Sequence, residues 1–135
     1  MVRKIFYITL ITLLAVRLFP QTIDGVKVKL ASINHENKIL VLRITNNSGR
    51  NVLLRDESDI ILAIDNSMRQ SYGSFMGENE MLKKLGLTQL YRYEGILKTG
   101  SQKTVYIFFD ERSNIQLDKI KTIIYHFNGL KFRLI

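Results

Sequence analysis

The chain after residue 20 reads largely as short apolar stretches separated by polar turn signals. Val26, Val28 and Leu30 are separated by Lys27 and Lys29, the pattern of a half-buried strand with its lysines outward. Residues 34–38 form a polar turn. Residues 39–45 (ILVLRIT) are apolar enough for a central strand, closed by the turn cluster Asn46-Asn47-Ser48-Gly49. Residues 51–55 predict a short strand. The polar break Asp56-Glu57-Ser58-Asp59 follows, and residues 60–64 (IILAI) predict a further strand ending at Asp65-Asn66. Residues 103–109 (KTVYIFF) predict another, entered from Thr99-Gly100-Ser101 and left through residues 110–114.

The sharpest element is C-terminal. Residues 122–127 and 130–135 flank Asn128-Gly129, the dipeptide a two-residue hairpin turn prefers because both positions need positive φ. That loop pairs Phe127 with Leu130, Tyr125 with Phe132 and Ile123 with Leu134. All six are apolar and share one face. Thr122, Ile124, His126, Lys131 and Arg133 fall on the other. Turn chemistry and pattern agree, as they do in a real element.

Residues 66–97 lack a strand rhythm. Residues 78–85 (ENEMLKKL) fit a short helix, with acids at its start, Lys83-Lys84 near its end and Gly86 placed to stop it. Met81, Leu82 and Leu85 would face the sandwich. Residues 90–93 (LYRY) are expected to rejoin a sheet. An insertion of this length in a small domain is usually functional or mobile. About seven short strands and no long helix predict an all-β antiparallel sandwich with a short helix in a long insertion.

The N-terminus does not belong to that pattern. Arg3 and Lys4 precede the uncharged apolar run of residues 5–16, the layout of a secretory signal peptide. The run is short of the roughly 20 residues a spanning helix needs. No small residue precedes a cut in Arg17-Leu18-Phe19-Pro20, so two outcomes stay open. Residues 1–20 are removed near Pro20-Gln21, or residues 5–19 remain and hold the domain at a membrane. Residues 21–135 then form one domain that is secreted or periplasmic.

Composition narrows the chemistry. The 135 residues include no Cys, which excludes disulfides, thiolate metal sites and a Cys nucleophile. Twenty Lys and Arg against 12 Asp and Glu give a net charge of +8. Setting residues 1–20 aside removes Arg3, Lys4 and Arg17 and no acid, leaving +5. That mild excess favours anionic surfaces such as lipid headgroups or acidic glycans. The bases are scattered, and export argues against nucleic acid.

Candidate chemistry is sparse. His35 lies in a polar turn and His126 on the outer face of the hairpin, beside Lys131, both expected at the surface. Asp56, Glu57 and Asp59 offer oxygens of the kind Ca²⁺ takes, but lack the D-x-D-x-D-G loop and read as a solvated turn. Gly73 and Gly77 resemble a loose glycine loop without the G-K-[ST] of a phosphate site. Asn46-Asn47-Ser48 fits an N-glycosylation sequon. Ser71 and Ser74 have no visible partner for nucleophilic catalysis. No catalytic residue, cofactor or metal is expected.

The best binding candidate is aromatic. Tyr72, Phe75, Met76, Tyr91 and Tyr93 fall in or beside the insertion, with Arg69 and Arg92 interleaved. Tyr and Arg dominate binding hot spots because they join large area to a polar tip. Arg69, Tyr72, Phe75, Tyr91, Arg92 and Tyr93 are therefore the expected partner-binding residues. The alternative is that the rings pack the insertion onto the sheet.

The run VLRITNNSGRNVLL, then IILAID, a long linker, GSQKTVYIFF and a final hairpin resembles small secreted bacterial immunoglobulin-like domains. The likeness rests on the Asn/Gly turn closing a strand pair and on a Gly before Thr104-Val105-Tyr106-Ile107-Phe108-Phe109. It spans residues 26–134. It implies an extracytoplasmic, non-enzymatic domain and supplies no catalytic residues. The expected function is to bind a protein or cell-envelope partner. The alternative is a structural subunit of an envelope assembly that pairs through an edge strand such as residues 26–30.

Overall fold

The computed structural model describes residues 21–55, 58–77, 79–86 and 93–135. The expected signal segment, residues 1–20, lies outside them. Ten strands form among the described residues: β1 (Gln21–Ile23), β2 (Val26–Asn34), β3 (Ile39–Asn46), β4 (Val52–Leu54), β5 (Ile60–Asp65), β6 (Gln70–Tyr72), β7 (Gly95–Leu97), β8 (Gln102–Phe108), β9 (Ile120–Phe127) and β10 (Leu130–Arg133). One six-residue helix, α1 (Asn79–Lys84), lies in the expected insertion. The first sheet runs β1-β2-β3-β8 and the second β10-β9-β5-β6, with β4 and β7 as a separate pair. Every pairing is antiparallel. This is the expected all-β sandwich, with more strands than about seven.

The period-two pattern decides which side chains meet between the sheets. The first sheet contributes Val28, Leu40, Leu42, Ile44, Val105 and Ile107, all fully buried. The second contributes Ile61, Ala63, Ile123, Tyr125, Phe127 and Phe132. The hairpin has the register that Asn128-Gly129 dictates, with Leu130 opposite Phe127 and Phe132 opposite Tyr125. Leu134 continues it by donating from its N–H to the Ile123 carbonyl at 2.9 Å.

The two sheets are stitched at both seams. At one, Ser74 and Phe108 exchange backbone bonds of 2.7 and 2.8 Å. At the other, the Arg133 N–H donates to the Gln21 side-chain carbonyl. Two short strands run through the stretch that showed no strand rhythm. β6 and β7 are three residues each, too short for alternation to register. Tyr93 is not part of a strand, and the rest of the expected strand at 90–93 lies outside the described residues.

β1 is a strand the periodicity does not reveal. Asp24 and Gly25 both take positive φ, 51° and 80°, and turn β1 into β2 as Asn128-Gly129 turns β9 into β10. A side chain at Gly25 would approach the Ser48 Cα to 2.7 Å. β2 therefore lies between β1 and β3 at residues 26–28 and is not an open edge there.

α1 is far too short to be stable alone. Its Leu82 packs on Ile39 and Phe108, with Met81 and Leu85 against the same cluster beside Val41 and Tyr106. These positions lie on the outward side of the first sheet. The helix faces the sandwich as expected, covering it from outside.

Buried polar residues hold the turns at each end. The Asn46 side-chain amide is sealed from solvent and donates to the carbonyls of Arg50 and Leu97 at 2.7 and 2.8 Å. Its oxygen accepts from the Ser48 N–H and hydroxyl. The sequon is thus a turn lock, and its nitrogen is unavailable to a glycan in the folded chain. At the opposite end Asp65 accepts from the N–H groups of Ser67, Arg69 and Gln116 at 2.9, 3.0 and 3.1 Å. Burial pushes the Asp65 carboxyl up, but those three N–H donors and the Arg69 charge outweigh it. The carboxyl is held below its ordinary value.

Candidate functional site

The structure separates the expected aromatic group. Tyr91 and Arg92 lie outside the described residues. Phe75 and Tyr93 are not surface residues: both are buried and stack with ring centroids 4.1 Å apart and planes at 18°. The reason is area, since two large rings on the inner side of the sandwich close its core between the sheets. Arg69 is exposed, yet its guanidinium donates to the Asn114 carbonyl at 3.0 Å and braces the turn after β5. Among the described residues of the group, only Tyr72 meets the expectation of an open aromatic, at 67% exposure.

Tyr93 belongs to a buried polar group that sequence reading missed. Its hydroxyl donates to the Asp59 carboxylate at 2.5 Å and also bonds the Tyr125 hydroxyl. Asp59 accepts further from the N–H groups of Arg55 at 3.2 Å and Asn128 at 3.3 Å. Burial pushes the Tyr93 hydroxyl up, and neighbouring Tyr125 and Asp59 push the same way, so it stays protonated. Asp59, at 5% exposure, is therefore a structural acceptor, not part of a solvated acidic turn. No sequence signal marks it, because two of its three donors, Tyr93 and Asn128, lie 34 and 69 residues away.

The outward side of the second sheet is a different surface. In β5 the residues Ile61 and Ala63 point inward, leaving Ile60, Leu62 and Ile64 outward. Leu62 lies opposite Ile124 on β9 and opposite Tyr72 on β6. Ile60 lies opposite His126, and Ile64 opposite Thr122 and Gln70. Four aliphatic side chains and one tyrosine thus share one face. Ile60 is 46% exposed, and Leu62, Ile64 and Ile124 are half-buried. No described element packs over them. His126, Lys131 and Arg133 border the patch on the β9–β10 side, and all three are exposed.

At one end the patch opens into a depression of about 500 Å³ lined by Asp59, Ile60, Tyr72, Gly73, Ser74, Phe75 and Met76. Gly73 is not a flexible phosphate loop. A Cβ there would come within 2.2 Å of Ile107 and 2.8 Å of Ile61, so glycine lets the backbone press onto the core. Gly77 likewise lies against the Phe108 ring.

β6 also turns backbone groups away from β5, on the side where Ser74, just beyond the strand, pairs with Phe108. Gly73 donates to the Ile61 carbonyl and Asp65 to the Arg69 carbonyl, both at 3.0 Å. Antiparallel pairs alternate between bonded and non-bonded. Gln70 and Tyr72 therefore turn their N–H and C=O groups away from β5.

Other candidates do not assemble. His35 and His126 are both exposed. Among the described residues no three His, Asp or Glu side chains gather where they could hold a metal ion, and Asp56 and Glu57 lie outside them. Among the described residues no helix is long and apolar enough to cross a membrane. No protein-family model matches the chain, and no curated protein or solved structure matches it.

Proposed function

We propose that this chain is an exported, non-enzymatic β-sandwich domain that binds a protein or cell-envelope partner across the outward face of its second sheet. The carrying observation is the row Ile60, Leu62, Ile64, Ile124 and Tyr72, apolar and uncovered by any described element. Contiguous apolar surface of this kind on a small domain marks an interaction site. Tyr72 supplies the exposed aromatic anchor that such sites favour. Export rests on the basic-then-apolar start of residues 1–20. The resemblance to small secreted immunoglobulin-like domains supports the same location.

A second reading, a structural subunit joined by edge-strand pairing, gains support at β6. There the outward N–H and C=O groups of Gln70 and Tyr72 are the kind an added strand would take. The two readings share a surface.

The test is chemical cross-linking in the source cells with the wild-type chain and with a Leu62→Lys, Tyr72→Ser double variant. The wild-type chain is expected in a discrete complex larger than its own 15.7 kDa, and the variant in that complex several-fold less. Equal yields from both would remove the surface from the proposal.

A further inference from the structure

The outward side of the first sheet carries a charge pattern of its own. Lys27 and Lys29 on β2 and Arg43 on β3 are all exposed on that side. Lys29 lies directly opposite Arg43, and Lys27 lies opposite Thr45 one outward position away. Like charges directly opposite on a sheet repel and destabilise the pair. The neighbouring outward positions are Thr22 on β1, Thr45 on β3, and Gln102 and Thr104 on β8, none of them acidic. A folded chain that tolerates this repulsion gains when an anionic surface covers it.

The location of the patch selects the surface. β1 is the edge of this sheet, and Gln21 lies opposite Val28, between the two lysines in sequence. The chain reaches that edge from residues 5–16, an uncharged apolar run. Retained on the protein, such a run would bring this edge to a bilayer and raise the local concentration of headgroups at Lys27, Lys29 and Arg43. We propose that the outward face of the first sheet, at Lys27, Lys29 and Arg43, rests on an anionic lipid bilayer. The apolar face of the second sheet then points away from the membrane, toward a partner.

Each basic residue held within about 8 Å of an anionic leaflet, the Debye length at physiological salt, strengthens attachment. The gain is roughly fivefold per residue, so three together contribute on the order of a hundredfold.

The test is lysine acetylation of the full chain read by mass spectrometry. It is done with vesicles of phosphatidylcholine alone and of equal parts phosphatidylcholine and phosphatidylglycerol. Lys27 and Lys29 are expected to lose several-fold in reactivity on the anionic vesicles, while Lys131, on the opposite sheet, keeps its own. High salt should restore them, and Arg43→Glu should weaken the protection at Lys29. Neutral vesicles control for the apolar segment, which needs no headgroup charge. Equal reactivity of Lys27 and Lys29 on both vesicles overturns the proposal. Equal protection of Lys131 also overturns it, by making the contact unspecific. Protection by soluble heparin but not by anionic vesicles overturns the lipid as the source.

Discussion

The two sheets dispose of their outward apolar residues in opposite ways. On the first, Ile39, Val41 and Phe108 would face water, but Met81, Leu82 and Leu85 of α1 are laid over them. The charged side chains that stay open on its strands β2 and β3 are basic: Lys27, Lys29 and Arg43. On the second, Ile60, Leu62, Ile64 and Ile124 have no such helix among the described residues, and Tyr72 stands open beside them. Among the described residues a six-residue helix covers one apolar face, and no element covers the other. The difference teaches that surface hydrophobicity is informative only against what the same fold does elsewhere. The bare face is the surface we propose as the binding site.

The contrast breaks most visibly if the cover is spoiled. Leu82 is almost fully buried against Ile39 and Phe108. Leu82→Asp places a charge in that contact and should cost at least about 3 kcal/mol in chemical denaturation. It should also raise dye binding to exposed apolar surface. A silent Leu82→Asp would mean that the helix covers nothing.

The next test separates Tyr72 from Tyr93. Tyr93→Phe keeps the stack on Phe75 but takes from Asp59 its closest donor, leaving a buried acceptor short. The expected loss is about 1–3 kcal/mol. Tyr72→Phe should leave the denaturation midpoint unchanged.

Asp65 supports the turn that carries β6 and so the rim of the bare face. Its carboxyl is lowered in the folded state, so it adds stability above the unfolded carboxylate value. That stability is lost as pH falls through the lower folded value. Asp65→Asn should lower the midpoint at neutral pH and flatten the acid limb of the stability profile. The check is a denaturant series across acid pH for both chains. An acid limb of unchanged steepness in Asp65→Asn would assign the pH dependence elsewhere.

The smallest expected effect falls on the bare face itself. Ile60→Lys should change stability by no more than about 0.5 kcal/mol, because Ile60 already meets solvent. A large loss would show that Ile60 is covered after all.

The sequence made parts of this legible and hid others for physical reasons. The Asn128-Gly129 hairpin was readable because turn chemistry and alternation both fix the register, and β9–β10 has that register. The helix at residues 79–84 was readable from its terminal charges and the glycine after it. β1 carried the same kind of tight turn, at Asp24-Gly25, but three residues close to an apolar run do not stand out as a strand. The run IILAI predicts a strand, but periodicity cannot say that no described element covers Ile60, Leu62 and Ile64. Tyr72 and Tyr93 look alike in sequence. What divides them is Asp59 and Phe75 waiting in the core for one ring only.

The most direct test of the central claim compares the two outward faces in the source cells. A photoreactive amino acid replaces Leu62 on the second sheet or, separately, Thr45 on the first. A discrete cross-linked protein or envelope adduct is expected from position 62 and no protein adduct from position 45. An adduct from position 45 alone, or none from position 62, would contradict it.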